Sequence, residues 1–125
     1  MKWLFRKWCI CMVEQNKRDV VILKKILKEI DDIKRYTAGM TAENFYEDDK
    51  TQKAVAMTLI NIGELSKAFS SEFIERNKEI PWKAVQATRN IAAHNYEYFD
   101  MQIVWKTIED DLPILKKHLE SCKNA

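Results

Sequence analysis

The 125-residue chain has little of what turn-rich or metal-bound folds need, with only 2 Gly, 2 Pro, 3 Cys and 2 His. So few glycines and prolines exclude tight-turn β-sandwiches and barrels, and also Gly-rich phosphate loops. Cys9, Cys11 and Cys122 form an odd set that makes a poor disulfide framework. This favours a reducing compartment, so we expect a cytoplasmic location. No apolar run approaches the ~20 residues that span a membrane, and no membrane association is expected.

The charge of the chain is nearly balanced, with 21 basic and 19 acidic side chains and a net charge of +2. It is unevenly spread, because residues 1–35 hold 10 basic and 5 acidic side chains. A general polyanion binder would carry a much larger basic excess. Any contact with nucleic acid should therefore be local, or be built by bringing two chains together.

Apolar residues recur every three or four positions in four segments, which is the spacing of amphipathic helices. The first segment runs over Asn16–Tyr36, the second follows Asp49, the third begins at Pro81 and the fourth at Asp100. We predict an all-α fold, an antiparallel four-helix bundle with short extra helical turns. Its inward-facing positions are expected to include Val20, Leu23, Ile26, Leu27, Ile30, Ile33, Val55, Leu59, Ile62, Leu65, Phe69, Phe73, Trp82, Val85, Ile91, Ile103, Val104, Ile108, Leu112, Leu115 and Leu119.

Several residues within these segments should cap, bend or crowd the helices. Asp49 and Gln52, three residues apart, resemble a capping box. Gly63 costs about 1 kcal/mol inside a helix, and the close approach of a neighbouring helix would explain it. Ser70-Ser71 should loosen the second helix without ending it, and Pro113 should kink the fourth.

Residues 1–16 are predicted to be an atypical N-terminal extension, followed by a helical domain over residues 17–122. Arg6 and Lys7 interrupt the apolar stretch of the extension, and no small-residue cleavage site follows, so it makes a poor signal peptide. It is either a basic, aromatic surface segment or extra sequence upstream of a start at Met12. We favour the second interpretation, because helical periodicity begins only after residue 16.

The residue types that could do chemistry gather where the third helix should stop, at Arg89, Asn90, His94 and Tyr96. The other histidine, His118, follows two lysines and is typical of a solvated face. On an ideal helix Arg89 and His94 project about 140° apart, whereas Asn90 and His94 share a face. Either the helix ends or unwinds at His94, or a second chain supplies the missing half across a two-fold axis.

An arginine and a histidine that converge could cleave RNA without a metal. The histidine would take a proton from the ribose 2′-hydroxyl, and the arginine would hold the phosphate oxygens as charge builds up. No metal-ligand spacing such as His-x-x-x-His or Cys-x-x-Cys is present, and paired aspartates are typical of caps and solvated faces. We therefore expect neither a metal nor another cofactor.

These residues closely resemble a known motif, an arginine, four residues, a histidine, one residue and a tyrosine. The chain resembles the HepT-like proteins of the HEPN superfamily over about residues 17–120. The resemblance also extends to other segments, namely Arg18-Asp19, Ile62-Gly63-Glu64, Ile80-Pro81-Trp82, Trp105 and Asp110-Asp111-Leu112-Pro113.

The resemblance implies a two-fold homodimer whose Arg/His motifs meet in a cleft at the interface. It implies a metal-independent endoribonuclease, the toxin of a type VII-like HEPN/MNT toxin–antitoxin pair, with RNA as its substrate. Arg89 and His94 would be catalytic. Asn90 stands where this branch often has a polar residue, and we expect it to support them by orienting His94 or a phosphate. The implied partner is a cognate minimal nucleotidyltransferase antitoxin, which would transfer AMP from ATP onto Tyr96 and silence the toxin.

Two other interpretations stay open at this point. The same bundle could be a non-catalytic helper subunit of a minimal nucleotidyltransferase, binding a nucleotide or substrate without cutting it. It could also be a plain structural dimer. In that case Arg89 would pair with a carboxylate such as Glu64, His94 would cap the third helix, and Tyr96 would pack on the bundle.

Overall fold

A computed structural model of the chain describes the backbone of residues 2–94 and 100–123, and the side chains of residues 17–89 and 100–122. Over these residues the fold is all-α, as the hydrophobic periodicity predicts, and the described backbone contains no strand. The helices are, in chain order, α1 (Lys2–Tyr36), α2 (Ala42–Glu47), α3 (Asp49–Ser66), α4 (Ser71–Arg76), α5 (Trp82–His94), α6 (Met101–Lys106) and α7 (Leu112–Lys123), with a π-helical turn (Thr107–Asp111) between the last two.

Helix α1 buries one face against the rest of the bundle. Ile26 and Ile33 are at most 1% exposed, and they lie two turns apart on that face. The prediction that Val20 faces the core is wrong, because Val20 is 47% exposed while Asp19 and Ile22 take the inward positions on either side of it. The face is therefore rotated toward Asp19, a residue that hydropathy alone assigns to solvent.

The two ends of α1 differ in how well they follow the sequence pattern. The helix begins at Lys2, well before Asn16, so the predicted start is wrong and the backbone of residues 2–16 is helical. The division of the chain into an extension and a domain at residue 17 stays a prediction. The other end lies where it was expected, at Tyr36, and Gly39 follows with a φ of 75°. Glycine adopts this left-handed conformation without steric cost, which suits a helix stop.

Asp48 provides the N-terminal cap of α3. Its carboxylate accepts a hydrogen bond from the Thr51 amide at 3.2 Å and another from the Thr51 hydroxyl at 2.7 Å. These bonds hold the pKa of Asp48 below its usual value, because both stabilise the ionised carboxylate. The predicted capping box at Asp49 is therefore wrong by one residue. Gln52 instead donates to the carbonyls of Phe45 and Tyr46, which ties α3 to α2.

The second predicted helix is two helices. Helix α3 ends at Ser66, and Ser70 begins α4 by accepting a hydrogen bond from the Phe73 amide at 3.1 Å. The Ser70 amide and hydroxyl in turn donate to the buried carboxylate of Asp19, at 2.8 and 2.6 Å. The expectation that Ser70-Ser71 leaves the helix unbroken is thus wrong. The two hydrogen bonds to Asp19 stabilise the break in the helix at Ser70.

Helix α3 is the centre of the bundle. It packs between α1 on one side and α5 on the other, while α7 packs on α1 and α2 packs on α3 and α6. Lys116 of α7 reaches Asp31 of α1 at 2.8 Å, and this contact raises the pKa of Lys116 because it stabilises the ammonium ion. The aromatic pair of Phe45 and Trp105, with ring centroids 5.2 Å apart, joins α2 to α6.

The last predicted helix is interrupted before Pro113. Proline donates no amide hydrogen and its ring crowds the preceding turn. The chain accommodates it with a π-helical turn over Thr107–Asp111, so the irregularity expected at Pro113 lies just ahead of it. Upstream, Val104 and Trp105 are buried, but Ile103 is 64% exposed and its predicted inward position is wrong.

Candidate active site

Arg89 lies on α5 and is directed toward α3. Its Nε donates to Oε1 of Glu64, and the two side chains remain 41% and 49% exposed. An ion pair this open to solvent contributes about 0–1 kcal/mol to stability, because water screens the attraction. The pair therefore adds little to the fold, and the Arg89 side chain stays partly accessible at the surface.

Gly63 explains how Arg89 comes so close to α3. A Cβ on Gly63 would lie 2.9 Å from the Arg89 Cβ, 3.1 Å from the Arg89 amide nitrogen and 3.2 Å from Oγ1 of Thr88. Real Cβ atoms essentially never come within 3.0 Å of a heavy atom on a neighbouring helix, so only glycine fits without a shift. The expectation that Gly63 admits a neighbouring helix is confirmed, and the helix is the one that bears the motif.

The first turn of α5 is fixed by aromatic packing. Trp82 contacts Phe69 and Phe73 with ring centroids 5.3 and 6.0 Å away, and its indole nitrogen donates to the carbonyl of Asn77 at 3.0 Å. Trp82 and Arg89 are seven residues apart, about two helical turns. Pro81-Trp82 thus fixes the start of α5. Two turns later, Gly63 determines how closely α5 approaches α3.

The other predicted site residues are only partly within the described residues. The backbones of Asn90 and His94 belong to the last turns of α5, and His94 is its final residue. Their side chains, that of Ile91, and the whole of Tyr96 lie outside the described residues. The convergence of Arg89 with His94 therefore stays a prediction.

The ion pair with Glu64 is the contact that the structural-dimer interpretation expects of Arg89. The contact by itself does not separate that interpretation from a catalytic one, because a half-exposed ion pair is compatible with both. The second half of that interpretation, a capping role for His94, falls on a side chain outside the described residues.

A groove lies beside Arg89, and no motif in the sequence predicts it. It has a volume of about 550 Å³ and is lined by residues of α5 and α7, together with Leu59 and Ile62 of α3. Thr88, the neighbour of Arg89, forms part of one wall, and the exposed His118 forms part of the other. The residues that line it are spread from position 59 to 118, so no single stretch of the sequence carries the groove.

Within the described part of the chain, no group of three or more His, Cys, Asp or Glu side chains could hold a metal ion. Cys122 is a free thiol, and its burial raises its pKa. The side chains of Cys9 and Cys11 fall outside the described residues. Among the described helices, none is long and apolar enough to cross a membrane.

Comparison with known proteins defines the class of the chain. The family model described as "Ribonuclease HepT-like" matches residues 26–122, from the C-terminal half of α1 to near the end of α7. The "Probable ribonuclease HepT" of Thermococcus cleftensis is 36% identical over 101 residues, which cover 81% of this chain and 92% of that protein. No solved structure matches the chain.

Two further relatives come from other organisms. A "Putative RNase" of Methanocaldococcus jannaschii is 33% identical over 106 residues, covering 84% of this chain and 97% of that protein. A "Putative RNase" of Caldanaerobacter subterraneus is 31% identical over 98 residues, covering 78% and 88%. The chain belongs to the ribonuclease HepT-like family, and by this membership its class is that of an endoribonuclease.

Proposed function

We propose that the chain is a metal-independent endoribonuclease that cleaves RNA with Arg89 and His94, and that it is the toxin of a HEPN/MNT toxin–antitoxin pair in the cytoplasm. The observation that supports this most is the placement of Arg89. It is a solvent-accessible cation held against α3 at a point where only glycine fits, in a chain of a ribonuclease family. A guanidinium at such a place is suited to hold a phosphodiester.

The proposed reaction uses the ribose 2′-hydroxyl as the nucleophile. A neutral His94 takes the hydroxyl proton, and the 2′ oxygen forms a bond to the adjacent phosphorus. Arg89 stabilises the negative charge that builds up on the non-bridging oxygens. The bond to the 5′ oxygen breaks, that oxygen receives a proton, and the products are a 2′,3′-cyclic phosphate and a 5′-hydroxyl. DNA lacks the 2′-hydroxyl and is not cleaved by this route.

A homodimer completes the proposed site. Arg89 and His94 project about 140° apart on a regular helix, so one helix does not direct both at the same phosphate. Two copies of α5 that meet across a two-fold axis bring the arginine of one chain near the histidine of the other. The second histidine then supplies the proton for the leaving 5′ oxygen, and Asn90, one turn before His94, orients that imidazole or a phosphate.

The test is cleavage of a single-stranded RNA by the purified full-length chain and its variants. His94→Ala and Arg89→Ala should each abolish cleavage, while His118→Ala, which removes the other histidine, should cleave like the wild type. Activity should persist in EDTA, and the products should end in a cyclic phosphate.

Cleavage by His94→Ala at the wild-type rate would rule out the mechanism. RNA binding without cleavage by the wild type would favour the helper-subunit interpretation, as would equal growth of hosts that express wild type and His94→Ala.

The proposed control is the transfer of AMP onto Tyr96 by a cognate minimal nucleotidyltransferase. Each AMP brings a negative charge and bulk to within two residues of His94, where it would repel and obstruct an RNA phosphate. Incubation with that enzyme and ATP should add the mass of AMP to the chain and stop RNA cleavage. Tyr96→Phe should escape both effects, whereas Tyr46→Phe on α2 should not. Silencing of Tyr96→Phe to the same degree would contradict the proposal.

A further inference from the structure

We infer that Glu64 is a positioning residue for the proposed reaction, which holds the Arg89 guanidinium in the orientation that receives the phosphate. The inference rests on the proposed function, since it assigns Arg89 to the phosphate. It goes beyond that function by giving a task to a side chain of α3, outside the arginine–histidine motif. Its basis is the juxtaposition of Gly63 and Glu64 with the two ends of the Arg89 side chain.

Helix α3 holds Arg89 at both ends. At the near end, the absence of a Cβ on Gly63 lets the Arg89 Cβ and amide nitrogen approach α3 to within contact distance. At the far end, the Glu64 carboxylate accepts a hydrogen bond from the Arg89 Nε. Because Gly63 and Glu64 are consecutive, one turn of one helix fixes where the side chain starts and which way its planar head group faces.

The backbone at this contact is itself firmly held. The Thr88 hydroxyl donates to the carbonyl of Val85 at 2.7 Å and lies 3.3 Å from the carbonyl of Leu59 on α3. Arg89 therefore leaves α5 from a segment whose distance to α3 cannot vary freely. The long side chain can still rotate about its own bonds, and the hydrogen bond from its Nε to Glu64 restrains that rotation.

Restraint of this kind matters for catalysis more than for stability. An arginine has many rotamers, and freezing them as the transition state forms would oppose the reaction. A carboxylate at Nε selects a small set of orientations before the substrate arrives, so the guanidinium is preorganised. Since both side chains are nearly half exposed, the same contact adds little to the folded state.

The experiment compares kcat and KM of the full-length chain on a single-stranded RNA for three variants. Glu64→Ala removes the acceptor and should lower kcat about tenfold, in line with the loss of an outer residue that orients a reacting group. Glu64→Gln keeps an acceptor oxygen and should stay within about twofold of wild type. Glu75→Gln removes the same charge from an exposed position on α4 and should change neither constant. A wild-type kcat for Glu64→Ala, or an equal loss in Glu64→Gln, would overturn the inference.

A second measurement does not depend on activity. The chain has five arginines, so its NMR spectrum contains few Nε–H signals, and Arg89→Lys identifies the one from Arg89. The steady-state heteronuclear NOE of this signal should be high in wild type and Glu64→Gln and should fall in Glu64→Ala. An unchanged NOE in Glu64→Ala would refute the positioning role. If Arg89→Ala cleaves RNA like wild type, the proposed function fails instead, whatever the NOE shows.

Discussion

Replacing Gly63 with alanine sets two effects of similar size against each other. An alanine in the interior of a helix is favoured over glycine by about 1 kcal/mol. The added Cβ, however, would lie 2.9 Å from the Arg89 Cβ and 3.1 Å from the Arg89 backbone nitrogen. Neither atom is the end of a flexible side chain, so α3 and α5 must move apart.

The size of that movement follows from the contact distances. Ordinary van der Waals contact begins at 3.4 Å, so the Arg89 Cβ has to retreat by about 0.5 Å. Overpacking of this kind typically costs about 1–3 kcal/mol, which exceeds the helix-propensity gain and leaves a net loss of about 1 kcal/mol. A misplacement of about 1 Å can cost a hundredfold in rate, so half of that displacement should cost about tenfold.

Urea unfolding and RNA cleavage measured on the same preparations give the two quantities. Gly39→Ala is the matched control, because Gly39 has a φ of 75° and open space where a Cβ would be. Its left-handed backbone should cost about 1 kcal/mol with no displacement of Arg89. Both variants should therefore lose similar stability, but only Gly63→Ala should lose activity. A Gly63→Ala variant more stable than wild type and fully active would refute the reasoning.

Two further predictions concern stability. Asp19→Ala should lower the free energy of unfolding by about 2–4 kcal/mol in urea titrations, because the buried carboxylate accepts two hydrogen bonds from Ser70 and removing it strands both donors. Asp48 should stabilise the chain above the pKa of an unfolded aspartate, about 3.9, and lose this contribution as pH falls through its lower folded pKa. The stability gap between wild type and Asp48→Asn should thus close on acidification, and a gap that is constant from pH 7 to pH 2 would contradict this.

The sequence pattern predicts the helices well where burial follows hydropathy. The inward face of α1 at Ile26 and Ile33 and the stop at Gly39 are confirmed. The pattern fails at Asp19 and Ser70, because a charged residue takes a core position only when a distant partner satisfies it. That partner is 51 residues away in the sequence, so local periodicity cannot indicate it.

The site could be predicted in part. Gly63 indicates a close approach between helices, but the pattern does not say that α5 is the neighbour or that Arg89 is the residue it meets. The sequence allows Glu64 to be named as a possible partner of Arg89. Its contact with the Nε atom, however, depends on how closely α5 packs against α3. The groove beside Thr88 has no local signature, since its lining comes from α3, α5, α7 and the segments that precede the last two.

The π-helical turn over Thr107–Asp111 lies where the last helix changes its docking partner. Helix α6, before the turn, packs on α2, and α7, after it, packs on α1. In a π-helical turn the backbone hydrogen bonds span five residues and not four. They interrupt the regular α-helical hydrogen bonds that would otherwise join α6 and α7 into one cooperative helix. In amide hydrogen exchange, α6 should therefore open together with α2 and α7 together with α1, so that one continuous stretch of helix belongs to two separate units of local unfolding.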